Sequence, residues 1–236
     1  MNITHDNDPA RSAPTVLVTG SAGHLGEALM RTLPDAGYLP IGLDIKASRF
    51  TQRVGSIVDR DFVRASVRDV SAVVHTATLH KPHIATHPRL DFVDTNITGT
   101  LNLLEESIAA GVRAIIFTST TSVFGRALTP AAGDPAAWII EDVVPVPKNI
   151  YGVTKIAAEN LCELFHHDYG LPCLILRSSP STTSTSCSVV SASRTPSLDA
   201  RSRTMTTPRS SASRSEKRAT SSSICPALSF CMGRGS

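Results

Sequence analysis

Long apolar runs are missing from this 236-residue chain, and no stretch is long enough to offer a helical membrane span. The first 13 residues are polar and lack the apolar centre of a secretory signal, so a flexible leader is expected there. Cysteine is sparse and odd in number, 5 in all, without metal-ligand spacing. That excludes a disulfide framework and points to reduced thiols in a cytoplasmic setting. Tryptophan occurs once, at Trp138.

A strong charge bias is also missing. The formal net charge is +3, and it is unevenly spread. Residues 178–236 hold 8 basic and 2 acidic side chains, whereas residues 1–177 hold 15 and 18. The basic balance therefore belongs to the last segment and implies no nucleic-acid partner. Of the 59 residues in that segment, 27 are Ser or Thr, so no sustained apolar period can be drawn. The composition predicts a low-complexity tail without a packed core. Two readings stay open: a natural Ser/Arg-rich extension, or a shifted reading frame. The abruptness of the change, in mid-strand after Leu176-Arg177, favours the second.

What is present begins at Thr15-Val16-Leu17-Val18-Thr19, a β-branched run that reads as a buried strand. It runs into Gly20-Ser21-Ala22-Gly23-His24-Leu25-Gly26. Gly20 suits a tight turn, Gly23 allows a pyrophosphate close to the backbone, and Gly26 allows the next helix to pack on the strand. The N–H groups of that helix, from His24 and Leu25 onward, would face the phosphates. A second strand ends at Asp44, about 20 residues past the turn, where a carboxylate can accept from the adenosine ribose hydroxyls. That favours NAD over NADP, although Lys46 and Arg49 follow closely.

Strands are expected near 15–19, 38–43, 53–57, 71–75, 113–118 and 172–177, and helices near 24–33, 59–67, 88–110 and 149–168. Such alternation predicts an α/β fold with a doubly wound parallel sheet of Rossmann type over residues 14–177. Tyr151 and Lys155 stand one turn apart on the last of these helices.

The ordered set Thr19–Gly26, Asp44, Val73–Thr78, Thr95–Thr100, Phe117–Gly125 and Tyr151–Lys155 resembles the extended short-chain dehydrogenase/reductases, the NAD-dependent epimerase/dehydratase group. The resemblance implies that Tyr151 is the acid/base and that Lys155 holds the nicotinamide ribose and favours the Tyr151 phenolate. It implies that Thr120 bonds the substrate oxygen, with Ser119 and Ser122 as register alternatives. It places Ser56 and Ile57 near the adenine, with Asp59 as an alternative, and Thr76, Ala77, Thr78 and Asn96 along the cofactor. Trp138 is expected to pack over the site. Three departures stand out: His75-Thr76-Ala77-Thr78 in place of the usual small-residue segment, Ser56 in place of a carboxylate, and Phe124 in place of a tyrosine.

His75, His80, His83 and His87 crowd one stretch, but their spacing matches no zinc pattern and no metal is expected. Thr121 and Ser122 stand where dehydratases carry Asp-Glu, which argues for an epimerase or a plain dehydrogenase. The leading expectation is an NAD-dependent nucleotide-sugar epimerase, inactive as this chain stands because the substrate region would lie beyond residue 177. A dehydrogenase of a small alcohol or ketone, or a non-catalytic NAD-binding module, remain the alternatives. The resemblance allows a homodimer and implies no membrane partner.

Overall fold

The computed structural model describes residues 13–178, apart from 134, 136, 137, 139, 141 and 142. The expected leader up to residue 12 and the Ser/Thr-rich segment beyond 178 lie outside the described residues. The elements are β1 (Thr15–Thr19), α1 (His24–Thr32), β2 (Leu39–Asp44), β3 (Arg53–Val54), α2 (Arg60–Ser66), β4 (Ala72–His75), α3 (Arg89–Val93), α4 (Gly99–Ala109), β5 (Ala114–Thr120), α5 (Ile150–Tyr169) and β6 (Cys173–Ser178). The strands form one sheet in the order β3-β2-β1-β4-β5-β6, with every pairing parallel. The doubly wound α/β expectation is met.

Topology positions the site. The chain walks outward from β1 to β3, then returns to lay β4 on the other side of β1. The strand order reverses between β1 and β4, and a crevice opens there at the carboxyl ends of the strands. Thr19, Asp44, His75 and Thr120 all end strands at this edge.

Alternate residues of the central strands fill two cores, because successive side chains leave opposite faces. Leu17, Val73, Ile115 and Phe117 pack with Val63 of α2, Leu103 and Leu104 of α4, and Cys162 and Phe165 of α5. Val16, Val18, Val74 and Ile116 face the other way, against Leu29 and Met30 of α1. Burial on both faces is why β1 and β4 read as unbroken apolar runs. α2 and α4 are clipped by Glu106, 4% exposed, which accepts from Arg60 Nε at 2.7 Å and Arg64 Nε at 3.0 Å.

Two expected elements differ. β3 stops at Val54: the bond from Gly55 N to Asp44 O at 2.9 Å is the last rung of its ladder with β2, and Gly55 then packs against the Phe62 ring, which an added Cβ would meet at 2.6 Å. The helix expected over 88–110 is broken into α3, a wider π-helical turn over Asp94–Thr98, and α4. Such turns relieve an extra residue in the helical repeat and redirect side chains. Asn96, 2% exposed, is the side chain redirected inward here. α5 is well delimited: Asn149 Oδ1 accepts from Gly152 N at 3.0 Å at its start, and Gly170 takes φ +68° at its end. No helix among the described residues is long and apolar enough to cross a membrane.

Candidate active site

The glycine turn is built by close approach. Gly20 has φ +74°, and its N–H donates to Leu43 O at 2.7 Å, tying the end of β1 to β2. A Cβ at Gly26 would lie 2.0 Å from Gly20 O, so α1 reaches β1 only without one. At Gly23 the neighbourhood is open except for Gly20 O at 3.1 Å. Gly23 is also the N-cap of α1 and offers no capping side chain, so the first N–H groups of the helix, at His24 and Leu25, are left for a ligand. An uncapped helix start beside an open glycine fits a pyrophosphate.

Asp44 stands across from this turn. Its Oδ2 accepts from Ala22 N at 3.0 Å and its Oδ1 from Lys46 N at 2.9 Å. Each oxygen keeps a free lone pair, enough to accept from two ribose hydroxyls. Arg49 does not approach Asp44. Its guanidinium stacks 4.7 Å from the Phe50 ring centre, with Arg31 at 4.9 Å from the same ring, and Glu27 lies 3.8 Å from Arg49. Bonds to Arg31, with the charges of Arg31, Arg49 and His24, hold the Glu27 carboxyl below its ordinary range.

At the expected adenine end, Ser56 Oγ accepts from Val58 N at 3.2 Å, and Ile57 is buried beneath Gly99. Asp59, the alternative to Ser56, caps α2, its Oδ1 accepting from Phe62 N at 3.0 Å. Asn102 secures this loop by donating to Ile57 O at 3.1 Å and Val58 O at 3.0 Å.

The end of β4 forms a polar lattice. Thr19 Oγ1 accepts from Thr76 N at 3.1 Å and Ala77 N at 3.2 Å, and lies 2.7 Å from His75 Nδ1. His75 Nε2 lies 3.0 Å from Thr100 Oγ1, whose single hydrogen goes to Asn96 O at 2.7 Å. Thr100 therefore accepts from His75 Nε2–H, and Thr19 donates to a bare Nδ1. His75 is neutral, and burial together with the charge of Lys155 pushes it down to about 3. Thr76 Oγ1 donates to Thr19 O at 2.6 Å, and Thr78, which stands where a small residue is usual, donates to Asn96 Oδ1 at 2.9 Å.

Asn96 was expected along the cofactor. Its side chain is instead saturated by protein. Oδ1 accepts from Thr78 Oγ1 and Leu79 N, both at 2.9 Å, while Nδ2 donates to Leu79 O at 2.9 Å and Thr154 Oγ1 at 3.0 Å. With both donors and two lone pairs in use, Asn96 shapes the wall and has no group left for a ligand.

Thr120, Tyr151 and Lys155 do come together. The Thr120 hydroxyl lies near enough to the Tyr151 phenol to favour its charged form, and Thr120 Oγ1 accepts from Ser122 N at 3.1 Å. Lys155, 3% exposed, donates to Thr118 O at 2.6 Å and lies 4.0 Å from the Phe117 ring centre. The expected lowering of Tyr151 by Lys155 is not found. Burial pushes the phenol up, opposed by the Thr120 hydroxyl. Desolvation outweighs an ammonium that is aimed at a carbonyl and an aromatic face. Burial likewise brings Lys155 down to about 7, against the pull of Cys162 and Glu159. Cys162 is itself pushed up by its bond with Cys173 and by burial, so at neutral pH it is an uncharged thiol. The effective counter-charge is Glu159.

Glu159 escaped the sequence reading, as did Arg177 in any site role. Both were findable: Glu159 continues the four-residue spacing of Tyr151 and Lys155 along one helix face. Ser119, a register alternative to Thr120, donates to Glu159 and so serves another partner. Trp138 does not pack over the site; its 87% exposure places it in solvent. The four histidines do not converge. His75 is in the β4 lattice, while His80, His83 and His87 stack edge-on with ring centres 4.4 and 5.1 Å apart. Among the described residues no group of three His, Cys, Asp or Glu side chains could hold a metal ion.

Residues 16–182 match the NAD dependent epimerase/dehydratase family. A UDP-glucose 4-epimerase of Azospirillum brasilense is 30% identical over 181 residues, covering 72% of this chain and 50% of that protein. Among solved structures, a short-chain dehydrogenase/reductase superfamily protein from Agrobacterium tumefaciens with bound NAD superposes with a TM-score of 0.61 at 30% identity, covering 69% of this chain and 48% of that one. UDP-glucose 4-epimerase from Thermotoga maritima with UDP-glucose gives 0.59 at 29% identity, covering 69% and 54%. The chain thus spans about half the length of these relatives. With the glycine turn, the strand-end crevice and the Tyr151/Lys155 pair already in place, the match over residues 16–182 shows that this chain belongs to the NAD dependent epimerase/dehydratase family of enzymes.

Proposed function

We propose that residues 14–177 bind NAD along the carboxyl ends of β1, β2 and β4, and that Thr120, Tyr151 and Lys155 carry an epimerase-type reaction on a nucleotide-sugar. The observation that carries this reading is the meeting of Thr120, at the end of β5, with the face of α5 that carries Tyr151 and Lys155, pinned there by the Lys155 bond to Thr118 O, at the edge where the glycine turn opens. NAD, when bound, supplies the hydride acceptor and returns the hydride. Tyr151 Oη takes the proton from a sugar hydroxyl and gives it back. Thr120 holds that oxygen and relays the proton. Lys155 holds the nicotinamide ribose, and the positive nicotinamide ring, when bound, would favour the Tyr151 phenolate against its burial.

Thr121 and Ser122 supply no carboxylate beside Thr120, which favours epimerisation over water elimination. The UDP-glucose named with the Thermotoga relative suggests a UDP-sugar. The free thiols Cys162 and Cys173 suit a cytoplasmic setting. Because the match covers about half of that relative, we propose that turnover needs a substrate wall of the kind its second half supplies.

The test joins residues 1–177 to the second half of the Azospirillum brasilense epimerase. Conversion of UDP-glucose to UDP-galactose by the chimera, lost on Tyr151→Phe while NAD is retained, is the expected result. Undiminished turnover in Tyr151→Phe would remove the proposed acid/base.

A further inference from the structure

Three side chains on one face of α5, each four residues from the last, reach three consecutive residues of β5. Tyr151 meets the Thr120 side chain, Lys155 Nζ donates to Thr118 O, and Glu159 accepts from Ser119 Oγ. The first two contacts belong to the site already described. The third does not touch the crevice. Glu159 is 2% exposed and is met from β6 by Arg177, whose Nη2 donates to Oε2 at 2.7 Å and whose Nε lies 3.2 Å from both oxygens. Arg177 is in turn backed by Phe124, its guanidinium carbon 5.2 Å from the ring centre. Bonds from Glu159 raise the Arg177 guanidinium above its ordinary range.

A buried ion pair is rarely kept for stability alone, since an apolar pair of similar volume often serves equally well. Its placement is informative. The carboxylate lies one turn from Lys155, and its ties to Ser119 and Arg177 join α5 to both strands at the site end of the sheet.

We propose that Glu159 is a positioning residue, fixing α5 on the end of β5 and supplying the buried negative charge one turn from Lys155. This rests on the reading that Lys155 acts on the nicotinamide ribose. The charged and titratable groups around Lys155 are few. On α5 they are Tyr151, Glu159 and the uncharged Cys162; β4 presents neutral His75; β6 presents Cys173 and, through Glu159, Arg177. β5 offers only the Thr118 carbonyl and the Phe117 ring. Glu159 is the one source of negative charge in that set at neutral pH, so its removal should lower the pH at which Lys155 loses its proton.

The experiment follows Lys155 in the full 236-residue chain by NMR of 13C-labelled lysine, assigned with Lys155→Arg. It compares wild type, Glu159→Gln, and the double variant Glu159→Gln/Arg177→Met, which removes both charges and should recover thermal stability. The wild-type midpoint is expected near 7. It should fall by at least about half a pH unit in Glu159→Gln and stay below wild type in the double variant. NAD affinity at pH 8 should fall several-fold in both. A midpoint unchanged in either folded variant would overturn the proposal, because a merely structural residue would move stability and not the titration. If the midpoint shifts but wild type binds no NAD at any pH, the coupling between Glu159 and Lys155 is supported and the cofactor reading fails instead.

Discussion

Asn96 Nδ2 donates to Thr154 Oγ1 at 3.0 Å, joining two residues 58 positions apart and fastening the π-helical turn to the helix that carries Tyr151 and Lys155. The same side chain holds Thr78 and both polar atoms of the Leu79 backbone. Its π-helical turn thereby governs both the β4 loop and α5. Asn96→Ala strips several buried groups of partners, each costing about 1–3 kcal/mol when left unsatisfied. A loss of about 3 kcal/mol in denaturant unfolding is expected, with Asn96→Asp less damaging because Oδ1 is kept. A neutral Asn96→Ala would show that water replaces these bonds.

The glycine turn separates fold from binding. At Gly26 an added Cβ would sit 2.0 Å from the Gly20 carbonyl oxygen, and backbone must move. At Gly23 the nearest atom is 3.1 Å away, and the space beyond is open. Gly26→Ala should therefore destabilise the chain by about 2 kcal/mol or more, as overpacking does. Gly23→Ala should fold with little loss, yet weaken NAD binding by tenfold or more, about 1.4 kcal/mol. Thermal unfolding and NAD titration of the two variants check this. Equal effects on both quantities would count against a pyrophosphate at Gly23.

The places of the glycine turn, of Asp44 at a strand end and of Tyr151 and Lys155 on one helix face were legible because they lie in short spacings: a strand, a turn, a helix start, one helical turn. The parallel, doubly wound sheet followed from the alternation of elements and the parallel-crossover rule. What escaped depends on contacts between distant residues. Nothing near Asn96 in the chain announces that Thr78, Leu79 and Thr154 will use up its side chain. That Asp59 caps α2 depends on where that helix begins. The direction of the Tyr151 shift needed its burial, which a four-residue spacing cannot convey. The break in the 88–110 helix was hidden because a π-helical turn keeps the helical hydrogen-bonded form, so Gly99 just after it reads as a glycine tolerated inside one helix.

Cofactor choice should rest on Asp44. Its carboxylate has room for ribose hydroxyls and would repel a 2′-phosphate, while Arg49 is drawn off by Phe50 and Glu27. Wild type is expected to bind NAD at least tenfold more tightly than NADP, and Asp44→Ala to weaken NAD binding while narrowing that ratio. Asp44→Ala also loses the bonds to Ala22 N and Lys46 N, so circular dichroism must first show it folded. Tighter NADP binding by the wild type would end the assignment.

Acid should act through His75. Its neutral form is built into the lattice: Nε2–H goes to Thr100, and Nδ1 takes the Thr19 hydroxyl hydrogen. Protonation would set a second N–H against Thr19 Oγ1, which already accepts from Thr76 and Ala77. The folded value is about 3, against about 6.5 in an unfolded chain. Between these values the unfolded state binds the proton first, so stability conferred by neutral His75 is complete above the unfolded value and declines as pH falls toward the folded one. The decline is about 1.4 kcal/mol per pH unit, the weight of one proton. His75→Gln cannot take up that proton. It should be less stable than wild type at pH 7.5, by about 2 kcal/mol for the disturbed buried bonds, with the gap closing as pH approaches 5. Guanidinium unfolding of both proteins at half-unit pH steps measures this directly. Parallel curves would mean that His75 stays accessible to protons in the fold. Because Thr19 leads directly into Gly20, NAD affinity should fall over the same range in wild type and hold steadier in His75→Gln.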